Sequence, residues 1–335
     1  MKFLRDLPPV EGKKIIVWTE LDVPVENGAV VDNTRLEAAA KTLNYLIEKG
    51  APILMIGHSG RPKGKDPSLS LKPVAKSLEE ILEAKIELLE EIKPFESNLA
   101  MLENIRFWAA EEEKEPSFAR EIARLGQIYV NDCFSTSHRA GSTMLYLPKL
   151  LPSYAGIALE REVEELGKII RSPKRPLVAI IGGAKIETKL PSINNLARVA
   201  DKVLVGGRLV FEIGNINLDP NVVAASDDID TKDIGPKSIE IFSEIIKKAA
   251  MVVWNGPMGV FEEEKYATGT EAVAQAVTNS QAYSIVGGGD TVDALNKFGV
   301  LDKINYVSIG GGAMLEFLAG EELPGITALE KYYGK

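Results

Sequence analysis

The sequence predicts an α/β protein with parallel sheets, built as two doubly wound domains. Three observations carry this reading. Short apolar runs recur along the chain, each followed by glycines or small polar residues and then by a helical pattern. Runs of four or five apolar residues suit strands buried on both faces, which is the habit of parallel sheets. Their alternation with helical stretches calls for right-handed βαβ units. Finally, 335 residues suit two hydrophobic cores better than one, although a single α/β barrel also reaches this length.

Taken in order, Asn33-Thr34 caps a helix beginning at Arg35, with Leu36, Ala39, Leu43, Leu46 and Ile47 on its apolar stripe and Gly50 at its end. Ile53–Ile56 is a strand that runs into Gly57-His58-Ser59-Gly60-Arg61. Glu and Lys alternate through a helical stretch, Leu78–Ile92, and Glu111–Glu115 is strongly acidic. Both read as solvated faces without functional weight. Ile128–Val130 is a strand running into Asn131-Asp132.

Glu160–Ile170 is an amphipathic helix, and Ser172-Pro173-Lys174-Arg175-Pro176 stops it. This segment divides the chain into a first domain, 1–159, a connecting helix, 160–175, and a second domain from 176 onward. There, strands at Leu177–Ile181, Lys202–Val205, Met251–Trp254, Tyr283–Val286 and Tyr306–Ile309 each precede glycines.

Composition narrows the function classes. A formal charge of −9 gives no general attraction to nucleic acid or anionic lipid. One cysteine, Cys133, excludes an intrachain disulfide framework and reads as a small buried residue. Two histidines 80 positions apart do not make a zinc site with it. No apolar run reaches membrane-spanning length, and Met1–Asp6 has no signal-peptide core. The expectation is a soluble, cytoplasmic protein.

Ligands of a parallel α/β sheet bind outside the carboxyl ends of its strands. In the second domain those ends read Gly-Gly-Ala-Lys (182–185), Asn-Gly-Pro (255–257), Gly-Gly-Gly-Asp (287–290) and Gly-Gly-Gly-Ala (310–313). Glycines let a backbone approach a ligand, and the helix N-termini that follow present free N–H groups, so the set predicts a phosphate cradle. Lys185 and Lys189 share a helix face, and Asp290 is placed to hold Mg²⁺ beside phosphate oxygens. For any single loop, a tight turn and an N-cap aspartate are the better explanation; four such loops in one domain favour a nucleotide site. Neither the P-loop nor the dinucleotide fingerprint is present. In the first domain Arg35, His58, Arg61, Arg106 and Arg139 lie near strand ends or helix starts. Arginine's planar fork suits phosphate and carboxylate, and surface salt bridges are the alternative.

These stretches, in order, resemble phosphoglycerate kinases. The resemblance rests on Asp32–Arg35, His58–Gly64, Leu102–Phe107, Val130-Asn131-Asp132 with His138-Arg139, and Gly182–Lys185. It continues through Asp233–Pro236, Val253–Glu262, Gly287–Thr291, Gly310–Ala313 and Leu323-Pro324-Gly325. It implies two Rossmann-like domains separated by a cleft and joined by a helix, the second ending at 318, with 319–335 returning to the first. It implies reversible transfer of the acyl phosphate of 1,3-bisphosphoglycerate to Mg·ADP, giving 3-phosphoglycerate and ATP, a glycolytic step, by a monomer.

By that resemblance Glu20, Asp22, Arg35, His58, Arg61, Arg106 and Arg139 bind the acidic substrate. Lys185, Lys189, Asn255, Glu262, Gly287, Gly288, Gly289, Asp290 and Thr291 bind the nucleotide, and Asp290 holds the Mg²⁺. Arg35, Lys185, Gly289 and Gly312 act in catalysis.

Several positions depart from the family pattern. Its Arg-x-Asp-Phe-Asn-x-Pro stretch reads Trp18-Thr19-Glu20-Leu21-Asp22-Val23-Pro24, so Trp18 replaces an arginine and Asp22 an amide. Gly141 stands at a usual histidine, Thr188 at an acidic position, Arg208 at a glycine and Ile309 at a threonine. Between Phe211 and Asp233 a helix and strand normal in the family are missing. Alternatives left open are a phosphotransferase for another small phosphorylated acid or nucleotide, and a non-catalytic ligand-binding protein on the same fold.

Overall fold

The computed structural model describes residues 1–184, 186–213 and 217–332, with only the backbone at 186–188. The chain forms two compact units. One contains Met1–Val163 together with the stretch from Glu322 onward, and the other is Glu164–Glu321. A single helix, Ile157–Arg171, runs across the boundary.

The first unit is built on a six-stranded parallel sheet. Its strands are β1 (Ile15–Trp18), β4 (Ile53–Ile56), β5 (Glu87–Leu89), β6 (Leu99–Leu102), β7 (Ile128–Asn131) and β8 (Ser153–Ala155), and β2 (Val25–Glu26) and β3 (Ala29–Val30) form a separate antiparallel hairpin. The sheet order is β5-β6-β4-β1-β7-β8. β1 lies at the centre, with Ile15 opposite both Ile53 and Ile128. Alternate strand residues point to opposite faces. Val17, Met55, Met101 and Val130 pack on one side with Leu36 and Leu43 of helix Thr34–Glu48 and Val74 and Leu78 of helix Lys72–Leu82. On the other side the Trp18 indole donates to Thr143 Oγ1 at 2.9 Å, on helix Ser142–Leu150. The last helix, Pro324–Lys331, packs against that helix, and Gly325 N–H donates to the Ser137 carbonyl at 2.8 Å. A Cβ on Gly325 would sit 2.7 Å from Met144 Sδ, so the contact requires glycine.

The second unit repeats the plan with β9 (Leu177–Ile181), β10 (Lys202–Val205), β11 (Val222–Ala224), β14 (Met251–Asn255), β15 (Tyr283–Gly287) and β16 (Tyr306–Ser308). β12 (Asp228–Ile229) and β13 (Asp233–Ile234) form a small antiparallel pair. The sheet order is β11-β10-β9-β14-β15-β16, which is the doubly wound order with its switch between β9 and β14. All five residues of β9 and of β14 are buried.

Some local expectations change. The cap of helix Thr34–Glu48 is not the Asn33 side chain, which accepts from Ser77 Oγ. Asp32 instead accepts from Thr34 N–H at 2.8 Å. The helix within the Glu/Lys-rich stretch stops at Leu82, where Glu83 turns left-handed with φ 50°, and Glu87–Leu89 is an edge strand. Between Phe211 and Asp233 the strand β11 is retained at the sheet edge.

Candidate active site

In the first unit the carboxyl ends of β1, β4 and β7 meet at the sheet's switch point, and the basic residues gather there. A cavity of about 400 Å³ is lined by Arg61, Arg106, Arg139 and Lys114, against Glu111 and Glu112. Arg106 is held rigidly. Its guanidinium donates to the Gly60 carbonyl at 2.7 Å and pairs with Glu112 through Nε at 2.7 Å. Arg61 makes no hydrogen bond or ion pair among the described residues. Arg139 Nε approaches His138 Nε2 at 3.4 Å. Burial, followed by the charges of Arg106 and Arg61, pushes Arg139 below its ordinary pKa. Cations brought this close repel one another, and a bound oxyanion relieves that repulsion.

Arg35 sits in the first turn of its helix, where one guanidinium nitrogen reaches Glu20 Oε1 at 3.3 Å and the Asp22 carbonyl at 2.7 Å. Glu20 is 1 % exposed and also accepts from Cys133 Sγ at 3.2 Å and from Ser135 Oγ. The structure therefore places the Glu20 carboxylate behind Arg35, where it orients the guanidinium. The Asp22 carboxylate accepts from Gly60 N–H at 2.9 Å, tying β1's exit loop to the loop after β4. His58 Nε2 lies 3.6 Å from Asp22 Oδ2. Burial first, then the charge of Arg106, pushes His58 down to about 3, so the imidazole is neutral and this is not an ion pair. His58 Nδ1 is buried without a hydrogen-bond partner.

Glu111 is the residue that sequence reasoning missed. Read as part of a solvated acidic face, it is 3 % exposed in the structure. Its two oxygens accept from Thr143 N–H and Thr143 Oγ1, both at 2.9 Å. Burial pushes it up to about 7 against the pull of the Thr143 hydrogen bonds. A Cβ on Gly141 would lie 2.2 Å from Glu111 Oε1. The one available signal was Gly141 itself, which makes room for the carboxylate.

In the second unit, glycines line the strand ends. Gly183 has φ +118°, and its N–H donates to the Pro257 carbonyl at 3.1 Å. A cavity of about 240 Å³ is lined by Gly183, Ala184, Gly207, Arg208, Lys232, Pro257, Glu262 and Asp290, among others. Asn255 stands behind it as a hub. Its Nδ2 donates to the carbonyls of Gly287 at 2.7 Å and Gly311 at 3.3 Å, and its Oδ1 accepts from Lys189 Nζ. Burial pushes the Lys189 ammonium below its ordinary pKa, opposed by Asp290. Thr291 Oγ1 accepts from Gly256 N–H at 2.7 Å, which clamps the Gly287-Gly288 turn to β14. Gly288, with φ +99°, packs against the Asn255 amide. At Gly289 and Gly312, by contrast, an added Cβ meets nothing within 4 Å, so the starts of their helices, Gly289–Lys297 and Gly311–Leu318, are open to a ligand.

The expected nucleotide residues thus divide. Glu262 and Asp290 line the cavity, Gly289 opens beside it, and Asn255, Gly287, Gly288 and Thr291 brace the turns. Lys185 and the Thr188 side chain lie outside the described residues. No group of three or more His, Cys, Asp or Glu side chains fit to hold a metal is found among the described residues. The exposed Asp290 carboxylate does suit Mg²⁺ that takes its remaining ligands from phosphate and water. No described helix is long and apolar enough to cross a membrane.

Comparison with known proteins agrees with this geometry. A family model described as phosphoglycerate kinase matches residues 4–219 and 213–321. The chain is 37% identical over 387 aligned residues to the phosphoglycerate kinase of Dictyoglomus turgidum, covering 98% of each. It is 38% identical over 382 to that of Rubrobacter xylanophilus, covering 97% of each. Both alignments exceed the 335 residues of this chain, so they open gaps in it. Among solved structures, phosphoglycerate kinase from Coxiella burnetii matches with a TM-score of 0.84 at 32% identity over 98% of both chains. That from Pyrococcus horikoshii matches with 0.86 at 30% over 99% of both. Two doubly wound sheets, the arginine-lined cavity and these matches along almost the full length agree: the chain belongs to the phosphoglycerate kinase family.

Proposed function

We propose that this protein is a phosphoglycerate kinase that transfers the acyl phosphate of 1,3-bisphosphoglycerate reversibly to Mg·ADP, giving 3-phosphoglycerate and ATP. The observation that carries the reading is the convergence of Arg61, Arg106 and Arg139 on one cavity. In the proposed roles these three hold the phosphate and carboxylate of the glycerate. His58, kept neutral by its buried cationic surroundings, packs beside them as a hydrogen-bonding group. Arg35, braced by Glu20 and the Asp22 carbonyl, neutralises the phosphoryl group in flight. The substrate roles expected of Glu20 and Asp22 become positioning roles.

On the nucleotide side, the open helix starts at Gly289 and Gly312 receive phosphate oxygens, with Lys185 and Lys189 adding charge. Glu262 takes the sugar–base end, and Asn255 and Thr291 keep the glycine turns in shape. When bound, Mg²⁺ would be held by Asp290 and would neutralise nucleotide phosphate charge. No covalent nucleophile is needed, because in-line transfer asks for positioning and charge neutralisation. Residues 1–159 with 319–335 are proposed as the phosphoglycerate domain and 176–318 as the nucleotide domain, joined through 160–175. We take the protein to act as a cytoplasmic monomer, on small-molecule substrates alone.

The test is turnover of Mg·ATP with 3-phosphoglycerate, trapping the acyl phosphate with hydroxylamine. Hydroxamate formation is expected. Folded protein that forms none with 3-phosphoglycerate, but does so with another phosphorylated acid, would replace the substrate while keeping the transfer.

A further inference from the structure

The arginine cavity contains a buried carboxyl that the proposed reaction leaves unused. Glu111 lies in its wall, on the short helix Ala109–Glu112, in the space that Gly141 leaves open. We propose that Glu111 is a specificity-determining residue of this cavity: its carboxyl admits oxyanions most readily while it carries no charge, so the cavity selects its ligand's charge according to the protonation of its own wall. The inference rests on the reading of this cavity as the seat of the acidic substrate.

The geometry gives the carboxyl little freedom to retreat. Both oxygens are fixed by Thr143, whose hydroxyl is itself held by the Trp18 indole N–H. Gly141 borders the carboxylate so closely that a Cβ would overlap it. A negative charge appearing there remains at the cavity wall, alongside any anion bound by Arg61, Arg106 and Arg139. Burial holds Glu111 protonated up to about 7, so the change of charge falls in the range where enzymes work.

Other charged and titratable groups face it. From the turn before its helix comes Arg106, and from its own helix comes Glu112, exposed and paired with Arg106. Across the sheet Tyr129 is pushed well above its ordinary value by burial and by Glu111 itself. His58 is held down to about 3, and His138 is pushed below its ordinary value by burial and then by Arg139. The His58 imidazole is therefore neutral where Glu111 changes charge, and His138 is less readily protonated there than an ordinary imidazole. The sign follows: an anion favours protonated Glu111, so affinity is highest below the Glu111 pKa and falls as pH rises through it.

The probe is sulfate, a dianion throughout this range, titrated calorimetrically into the full-length protein at about pH 6, 7 and 8. Binding is assigned to this cavity by its loss in Arg139→Ala. Wild-type affinity is expected to fall roughly fivefold from the lowest to the highest pH, the scale of two like charges in a partly solvated pocket. In Glu111→Gln the fall should shrink to less than about twofold. Thr143→Val, which removes one hydrogen bond that favours the ionised form, should move the fall to higher pH, and this variant carries the test if Glu111→Gln does not fold. An undiminished fall in Glu111→Gln, or an unmoved one in Thr143→Val, overturns the proposal. Absence of sulfate binding at every pH overturns both the proposal and the reading of the cavity as an oxyanion seat, whereas hydroxamate turnover tests the reaction independently.

Discussion

Asn255 offers the sharpest test of how the second unit's cradle is held. Replacing it with alanine removes donors to Gly287 O and Gly311 O and the acceptor of Lys189 Nζ. These losses are unequal. Gly287 O keeps a second donor in Thr291 Oγ1 at 3.3 Å, and the Gly311 bond is already long. The shorter Gly287 bond and the half-buried Lys189 therefore set the scale, together with a small cavity, at about 2–3 kcal/mol. The open helix starts lose their fixed spacing at the same time, so ADP affinity should drop about tenfold or more.

Asn255→Asp separates the contributions, since it keeps the shape and strengthens the Lys189 partner but turns an acceptor towards two carbonyls. If bracing of the turns dominates, the aspartate variant binds ADP no better than the alanine variant. Calorimetric unfolding and ADP titration would measure both effects. An alanine variant within about 0.5 kcal/mol of wild type in stability, with unchanged ADP affinity, would refute the hub role.

Arg35→Ala should lower turnover about 10²–10³-fold while leaving ADP affinity unchanged, because the guanidinium acts on the moving phosphoryl group; near-normal turnover in a steady-state assay would remove it from catalysis. Asp290→Asn should raise the Mg²⁺ concentration needed for half-maximal rate about tenfold, read from a metal titration. Gly141→Ala should destabilise the protein by about 2 kcal/mol, since Glu111 must leave a Thr143 hydrogen bond. Adding Glu111→Ala should cancel most of that increment in thermal melts, and strict additivity would deny the contact.

For pH, Glu111 keeps its proton up to about 7 when folded and releases it near its ordinary carboxyl value when unfolded. Stability from this group is therefore full at low pH and lost as pH rises through about 7. Glu111→Gln should be favoured over wild type by up to about 3 kcal/mol more at pH 8 than at pH 5, by calorimetry at the two values.

The α/β architecture was legible because most strands end in glycines. Two of the strands that were overlooked lack that punctuation. β1, the centre of the first sheet, runs into Thr19-Glu20, and β6 runs into Glu103-Asn104. The arginines could be nominated by residue type, since guanidinium chemistry is local. Their convergence could not, because it depends on parallel pairing of segments far apart in the chain. Glu111 shows the opposite limit. Nothing in an acidic run separates a buried carboxylate from its solvated neighbours, and what buries this one is a hydroxyl and a missing side chain roughly 30 positions later. Glu20 and Asp22 look like anions facing an anion until the structure shows their oxygens accepting from Arg35, Ser135 and the Gly60 N–H.

The helix Pro324–Lys331 grips the loop that carries His138 and Arg139 through Gly325 and Ser137. During synthesis, the residues that form most of the first unit leave the ribosome long before this helix exists. The arginine loop therefore waits until the second unit has been made to receive its final support, and a chain halted anywhere in that unit carries all the cavity's cations but not the clamp beneath one of them.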